Sequence, residues 1–245
     1  MVDVAGALPA RRPPIVRMLA TGAMLAGIAL FVALGIWQLE RRVWKLDLIA
    51  RVDQRVHATA VAAPGPSQWP AITAENAEYR HVALKGRFLD QQTLVLAVTK
   101  LGRGFWVMTP MLTDAGFVVL VNRGFIPSDQ KGLIASDRAS GEKTITGLLR
   151  MSEPGGAFLH SNDPADGRWY SRDVAAIAAS QGLGTVAPYF VDADASSDAG
   201  AWPRGGLTVI TFRNAHLQYA LTWFALALAL AAMAVRAAIA ARRGS

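Results

Sequence analysis

The chain has 245 residues, 52% of them hydrophobic, with no cysteine and a formal net charge of +7. The lack of cysteine excludes disulfides, thiolate zinc or copper sites, iron–sulfur clusters and covalent c-type haem attachment. The charge has to be located before it means anything. The N-terminal tail carries Arg11, Arg12 and Arg17 against Asp3, and the C-terminal tail carries Arg236, Arg242 and Arg243 with no acid. Six arginines against one aspartate take five of the surplus and leave two for everything between, so the basicity flanks a membrane and does not mark a nucleic-acid surface.

In chain order, residues 1–17 read as a basic tail in which Pro9, Pro13 and Pro14 oppose helix. Residues 18–39 are an uncharged apolar run of about 22 residues, roughly 33 Å as a helix and close to the thickness of a bilayer's hydrocarbon core. The run is too long for a secretory signal and ends in Trp37-Gln38-Leu39-Glu40 without a small-residue cleavage site, so it is expected to be a retained anchor. Residues 40–62 continue as a charged helical extension, because Val43, Leu46, Ile49 or Ala50, and Val52 or Val56 recur at helical spacing with no Gly or Pro among them. Ala63-Pro64-Gly65-Pro66-Ser67 then breaks the helix.

From residue 63 to 213 the period changes from helical to two. Strands are expected at Tyr79–Leu89, Thr93–Thr99, Phe105–Thr113, Phe117–Asn122, Lys143–Met151, Pro188–Asp192 and Leu207–Phe212. Thr113-Asp114-Ala115-Gly116 reads as a hairpin turn, and Asp173–Gln181 as a short helix closed by Gly182. Asp194–Gly200 is a polar loop. Residues 214–235 form a second uncharged run of membrane-spanning length, followed by a second basic tail at 236–245. The fold class expected is an α+β membrane protein, with two transmembrane helices flanking a β-rich domain, an antiparallel sheet or something barrel-like. The basic tails favour termini inside and the β-rich domain outside, although Arg41, Arg42, Lys45, Arg51 and Arg55 directly follow the first span.

The second span opens with Arg213-Asn214-Ala215-His216, and on a helix His216, Tyr219, Ala220 and Trp223 share a face. A neutral imidazole at a membrane boundary can ligate haem iron or another metal, with Tyr219 and Trp223 packing on a porphyrin. The same residues also suit an aromatic belt with His216 among the headgroups. Trp37 and Arg41 lie at the corresponding depth of the first span if the helices run antiparallel. Arg41 and Arg213 can then pair with carboxylates such as haem propionates, or simply snorkel at the interface. His57, His81 and His160 fall in no metal-ligand spacing. No nucleophile elbow, His-Glu-x-x-His or phosphate loop is present, so no enzyme is expected.

Four segments together resemble the Surfeit locus protein 1 family of cytochrome oxidase assembly factors, in its bacterial form. They are LGIWQLERRVWKLDLIARV at 34–52, YRHVALKGRF at 79–88, GFWVMTP with VLVNRGFIP at 104–127, and NAHLQYALTWF at 214–224. The first and last are the specific ones, since they place Trp, Gln, Arg, Asn and His at a membrane boundary where chance supplies Leu and Ala. The resemblance implies two membrane helices in the inner membrane, both termini cytoplasmic and a periplasmic domain. It also implies a role in building haem–copper oxidases, binding haem a and assisting its insertion into oxidase subunit I, with haem a synthase a further partner beside membrane lipid. The family's proposed haem ligand maps onto His216. The family motif is more usually Asn-Asn-His, and this chain has Asn214-Ala215-His216. The alternative expectation is a scaffold that stabilises subunit I without touching haem.

Overall fold

The structure is a computed structural model that describes residues 13–135, 141–157, 159–196, 200–210 and 212–243. The tail expected to carry Arg11 and Arg12, and part of the polar loop before Gly200, lie outside the described residues. Two compact units divide the chain, one of residues 1–49 and 212–245, the other of residues 50–211.

The first unit holds a helix pair. Helix α1 spans Pro14–His57. Its start corrects the expectation that Pro14 opposes helix. Pro14 is the first helical residue, where a missing N–H costs nothing and the fixed φ is already helical. At 44 residues, α1 is roughly 66 Å long, about twice what a bilayer core needs. Its charged half therefore continues the apolar half without a break. The last helix, α4, spans His216–Arg243 and runs through the segment expected to be a tail. No Gly or Pro interrupts it before Gly244, and Arg242 and Arg243 in its last turn suit the negative end of the helix dipole. Both helices are long and apolar enough to cross a membrane, and only 6% of each apolar window is buried.

The two helices meet antiparallel. Phe31 stacks on Trp223 with ring centroids 5.7 Å apart. A Cβ on Gly35 would lie 2.5 Å from the Phe224 ring, and one on Gly27 would lie 2.9 Å from Leu230. Glycine is thus what lets the helices approach at these two points. Ala220 and Ala227 are buried on the same side of α4.

The second unit is the β-rich domain, with a one-turn helix α2 (Ala74–Ala77) and, among the described residues, seven strands. They are β1 (Val61–Ala62), β2 (His81–Phe88), β3 (Thr93–Thr99), β4 (Gly102–Thr113), β5 (Val118–Pro127), β6 (Lys143–Met151) and β7 (Val186–Ala193). The sheet order is β1-β2-β6-β7-β5-β4-β3, and an added β2–β4 pairing closes β2, β6, β7, β5 and β4 into a five-strand barrel. Taken in chain order, the fourth barrel strand returns beside the first, which is Greek-key connectivity. The closing contact runs through Gly86 against Thr113, where a side chain would strike the Leu112 carbonyl. The Thr113–Gly116 turn forms as expected, with Gly116 at φ +82°.

Val82, Met111, Val119, Leu149, Tyr189 and Val191 draw on all five barrel strands and form its interior. The alternate residues Leu120 and Phe190 face outward, yet they are equally buried beneath α3 (Val174–Ser180) with Ile177 and Trp169. The parallel pair β5–β7 is therefore covered on both faces, which is why Val118–Val121 and Val186–Val191 read as apolar runs before Asn122 and Asp192. Asp173 caps α3 by accepting from the Ala176 N–H, and Gly182 ends it in the left-handed region. One expected strand does not form: residues 207–210 join no ladder. Their β-branched composition favours extended chain, but a strand also needs a partner edge, and here none is paired to them.

Candidate functional site

Two polar centres stand out, one in each unit. In the helix pair, His216 is the first residue of α4, and Asn214 Oδ1 lies 3.4 Å from its backbone N–H. Its ring nitrogen Nδ1 lies 2.8 Å from Oε1 of Gln38 on α1. An amide oxygen only accepts, so Nδ1 carries the proton, and in the neutral ring Nε2 keeps its lone pair. Among the described residues Nε2 has no partner. A half-buried imidazole, oriented by a second polar group and left with one bare nitrogen, is the arrangement of a metal-ligating histidine and the residue that orients it.

The other residues singled out in the sequence are placed as follows. Trp223 lies two turns along α4 from His216, on the same face, and stacks on Phe31. Tyr219 is 55% exposed and Trp37 is 49% exposed, so both point outward where an incoming group can be packed. The Arg41 guanidinium lies 4.9 Å over the Trp44 ring. Arg213 is exposed and borders an open groove with Leu217, Gln218 and Leu221. The structure thus joins His216 and Trp223 to α1, while Tyr219, Trp37, Arg41 and Arg213 make no hydrogen bond or ring stacking with the imidazole among the described residues. Sequence reasoning passed over Gln38 as an individual residue. The signal was there, a lone amide at the end of the apolar run, three residues before the Arg41-Arg42 pair.

The barrel's polar centre was not anticipated at all. Asp192 on β7 is 4% exposed, and both of its carboxylate oxygens are occupied. Oδ1 accepts from Asn122 Nδ2 at 2.7 Å and Arg172 Nη1 at 3.1 Å, and Oδ2 accepts from Arg150 Nη1 at 3.1 Å and Thr208 Oγ1 at 2.9 Å. Arg150 Nε donates to Glu78 at 2.7 Å, and Arg172 donates twice to Glu153. Burial disfavours the charge on Arg150, but Asp192 and Glu78 more than offset it and hold its pKa above the ordinary value. Glu78 reaches Arg150 because Tyr79, in the left-handed region at φ 62°, turns the chain sharply into β2. Nearby Tyr189 donates its hydroxyl to the Pro64 carbonyl, and burial pushes that phenol up.

His57 is exposed beside Asp53, and His160 stacks on Tyr170 at 4.9 Å. His81 bridges Ala58 and Asp194. Among the described residues no three His, Cys, Asp or Glu side chains are grouped to hold a metal ion.

The SURF1 family model matches residues 25–228, which takes in both polar centres. Surfeit locus protein 1 of Mus musculus is 37% identical over 217 residues, covering 79% of this chain and 67% of its own. The Homo sapiens protein of that name is 36% identical over 221 residues, covering 80% and 70%. A SURF1-like protein of Monosiga brevicollis is 33% identical over 220 residues, covering 83% and 82%. Identity at this level across helix, barrel and helix leaves one assignment: the chain belongs to the SURF1 family.

Proposed function

We propose that this chain is an assembly factor for cytochrome c oxidase that binds haem a in the inner membrane and assists its insertion into oxidase subunit I. The observation that carries the haem reading is the Gln38–His216 hydrogen bond, which leaves Nε2 as the free nitrogen of the pair. Haem a would supply an iron that takes one imidazole nitrogen, a flat apolar ring, a long apolar tail and two carboxylates. His216 offers the nitrogen. Trp223, Tyr219 and Trp37 offer ring surfaces, and Arg41 and Arg213 offer cations at the ends of the two apolar runs for the carboxylates. The apolar tail suits the exposed leucines of the same helices. One protein ligand on a two-helix support also suits a carrier, which has to release what it holds.

In this reading both termini are cytoplasmic and the barrel lies in the periplasm, with the oxidase subunit and haem a synthase as partners. No reaction is assigned to it. The competing reading, a scaffold for subunit I that never touches haem, draws support from Trp37 and Tyr219, whose exposed rings can serve protein contact as well as porphyrin contact.

The visible absorption spectrum of the full chain, purified in detergent from cells making haem a, separates the two. Haem a near one equivalent in the wild type, lost in His216→Ala at equal protein yield, is the expected result. Haem-free wild type that still co-purifies with subunit I would replace the carrier by the scaffold.

A further inference from the structure

Helix α1 can be followed residue by residue along the face it turns to α4 and its lead-in. Phe31 stacks on Trp223, Gly35 meets the Phe224 ring, Gln38 bonds His216, and the Lys45 Nζ lies 5.0 Å over the Phe212 ring. These positions recur at three- and four-residue steps with one gap, between Gln38 and Lys45, and Arg42 fills it. Arg42 and Lys45 are both half-buried. Arg41 stands off this stripe, exposed, with its guanidinium over Trp44.

Positive charge thus collects where the two apolar runs end. Arg42 and Lys45 contribute two cations, and Arg213, next to Phe212, a third. The N-terminus of α4 lies here as well, with the positive end of its dipole and no acid in its first turn. The His216 N–H approaches Asn214 Oδ1, but the N–H groups of Leu217 and Gln218 have no acceptor among the described residues. Glu40 and Asp47, the acids of this stretch of α1, are exposed two and nine residues from Gln38, which puts them on the opposite face. Among the described residues neither Arg42, Lys45 nor Arg213 forms an ion pair.

Membrane topology does not explain the cluster. The basic tails at 1–17 and 236–245 already mark one side of the membrane, and these three cations fall at the other ends of the same two apolar runs. Charge gathered on that opposite side points to an anion of its own.

The distance to His216 says which anion. Along α1, Arg42 lies about 6 Å and Lys45 about 10 Å beyond Gln38, the residue that orients the imidazole. A planar guanidinium and a separate ammonium, a few ångströms apart on one side of the ligating nitrogen, suit a ligand with two carboxylates on one edge.

We infer that Arg42 and Lys45, with Arg213, bind the two propionates of the haem a held on His216, so that the carboxylate edge faces out of the bilayer and the apolar tail into it. The inference rests on the haem reading given above and assigns two residues that reading leaves unused.

The test is a Soret titration of the full chain in a neutral detergent, with haem a and with its propionate dimethyl ester. Wild type is expected to bind the free acid about tenfold more tightly than the ester, the scale of one charge-assisted hydrogen bond. Arg42→Gln with Lys45→Met is expected to bind both forms at the ester's wild-type affinity, and Arg42→Lys with Lys45→Arg to restore the preference. Wild type that binds neither form overturns the haem reading together with this inference. Equal binding of both forms by wild type, a preference that survives Arg42→Gln with Lys45→Met, or a loss that is the same for both forms overturns this inference alone. So does co-purifying anionic phospholipid that the Arg42→Gln, Lys45→Met protein loses while its haem preference stands, which would assign the cations to lipid headgroups.

Discussion

Val82, Val107, Val119 and Leu120 of the barrel are fully shielded, whereas Leu19, Leu25, Leu30, Leu221 and Leu228 on the two helices are each more than half exposed. The residue types are alike and the burial is opposite. In the barrel the apolar groups are sheltered by one another, and the polar groups among them have to be satisfied locally, as the four donors to Asp192 show. On the helices the apolar groups are left for a solvent that is itself apolar, and each backbone is satisfied within its own helix. There a polar side chain is a cost that calls for a reason. The contrast between the two polar centres follows. Asp192 has every oxygen engaged and works as a structural tie. His216 has one nitrogen engaged and one free among the described residues, which leaves it able to take a further partner.

The largest effect expected is at the structural tie. Asp192→Ala leaves two largely buried guanidinium groups facing each other without their shared counter-ion, and breaking a buried ion pair from one side costs about 3–5 kcal/mol. The urea midpoint of the full chain in detergent, followed by tryptophan fluorescence, should fall accordingly. A midpoint within experimental error of wild type would mean that the network is ornamental and that the contrast with His216 is false.

The helix pair should respond to bulk where the barrel responds to charge. Gly35→Leu drives a side chain into the Phe224 ring and is expected to cost about 1–3 kcal/mol, the usual range for overpacking. Gly22→Leu, at a position with nothing within 4 Å, should be silent. Thermal loss of the helical circular dichroism signal compares the two, and equal behaviour would dissolve the pairing of α1 with α4. A finer test concerns what orients His216. Gln38→Leu removes the acceptor on Nδ1 and is expected to weaken haem a binding by about 10–100-fold with the helices intact, while Gln38→Glu keeps an acceptor and keeps binding. A Soret titration reads both, and equal affinities across the three proteins would sever Gln38 from the site.

How much of this was legible in the sequence depended on whether the cause was local. The apolar runs at 18–39 and 214–235 announce the helices by length alone. Strands β3 and β6 fall where alternation puts them, and Asp173 with Gly182 brackets α3 because caps act within a single turn. The barrel's closure was legible only as an alternative to an open sheet, since it depends on Gly86 meeting Thr113 across intervening strands. Residues 207–210 show the opposite failure, where propensity was present and a partner edge was missing. At the site, His216 was readable as an ionisable group in an apolar context. Gln38 was not, because its meaning comes from the antiparallel packing that carries it to His216. Asp192 was hidden for a similar reason: Glu78, Arg150, Glu153, Arg172 and Thr208 are scattered along the chain, and only the barrel collects them.

The smallest effect expected is a dependence on pH from outside the membrane. Both ring nitrogens of His81 face acceptors, Nδ1 the Ala58 carbonyl at 2.8 Å and Nε2 the Asp194 carboxylate at 2.9 Å. Thr146 donates to the same Asp194 oxygen and fixes it in place. A neutral imidazole has one N–H and cannot serve both acceptors, whereas the imidazolium can. Burial opposes the charge, but the hydrogen bonds to Asp194 and Ala58, with the charge of Asp194, prevail and raise the pKa of His81 above its ordinary 6.5. A pKa raised by folding means that the folded state holds the proton more tightly. The stabilisation is then complete below the unfolded value and fades as pH rises through the folded one. The stability difference between wild type and His81→Gln should therefore be larger at pH 5.5 than at pH 8. Asp194→Asn, which removes the carboxylate but keeps an acceptor, should flatten that dependence. Asp194 is 40% exposed, so salt should shrink the effect, and a difference that grows with pH would reverse the assignment of charge at this bridge.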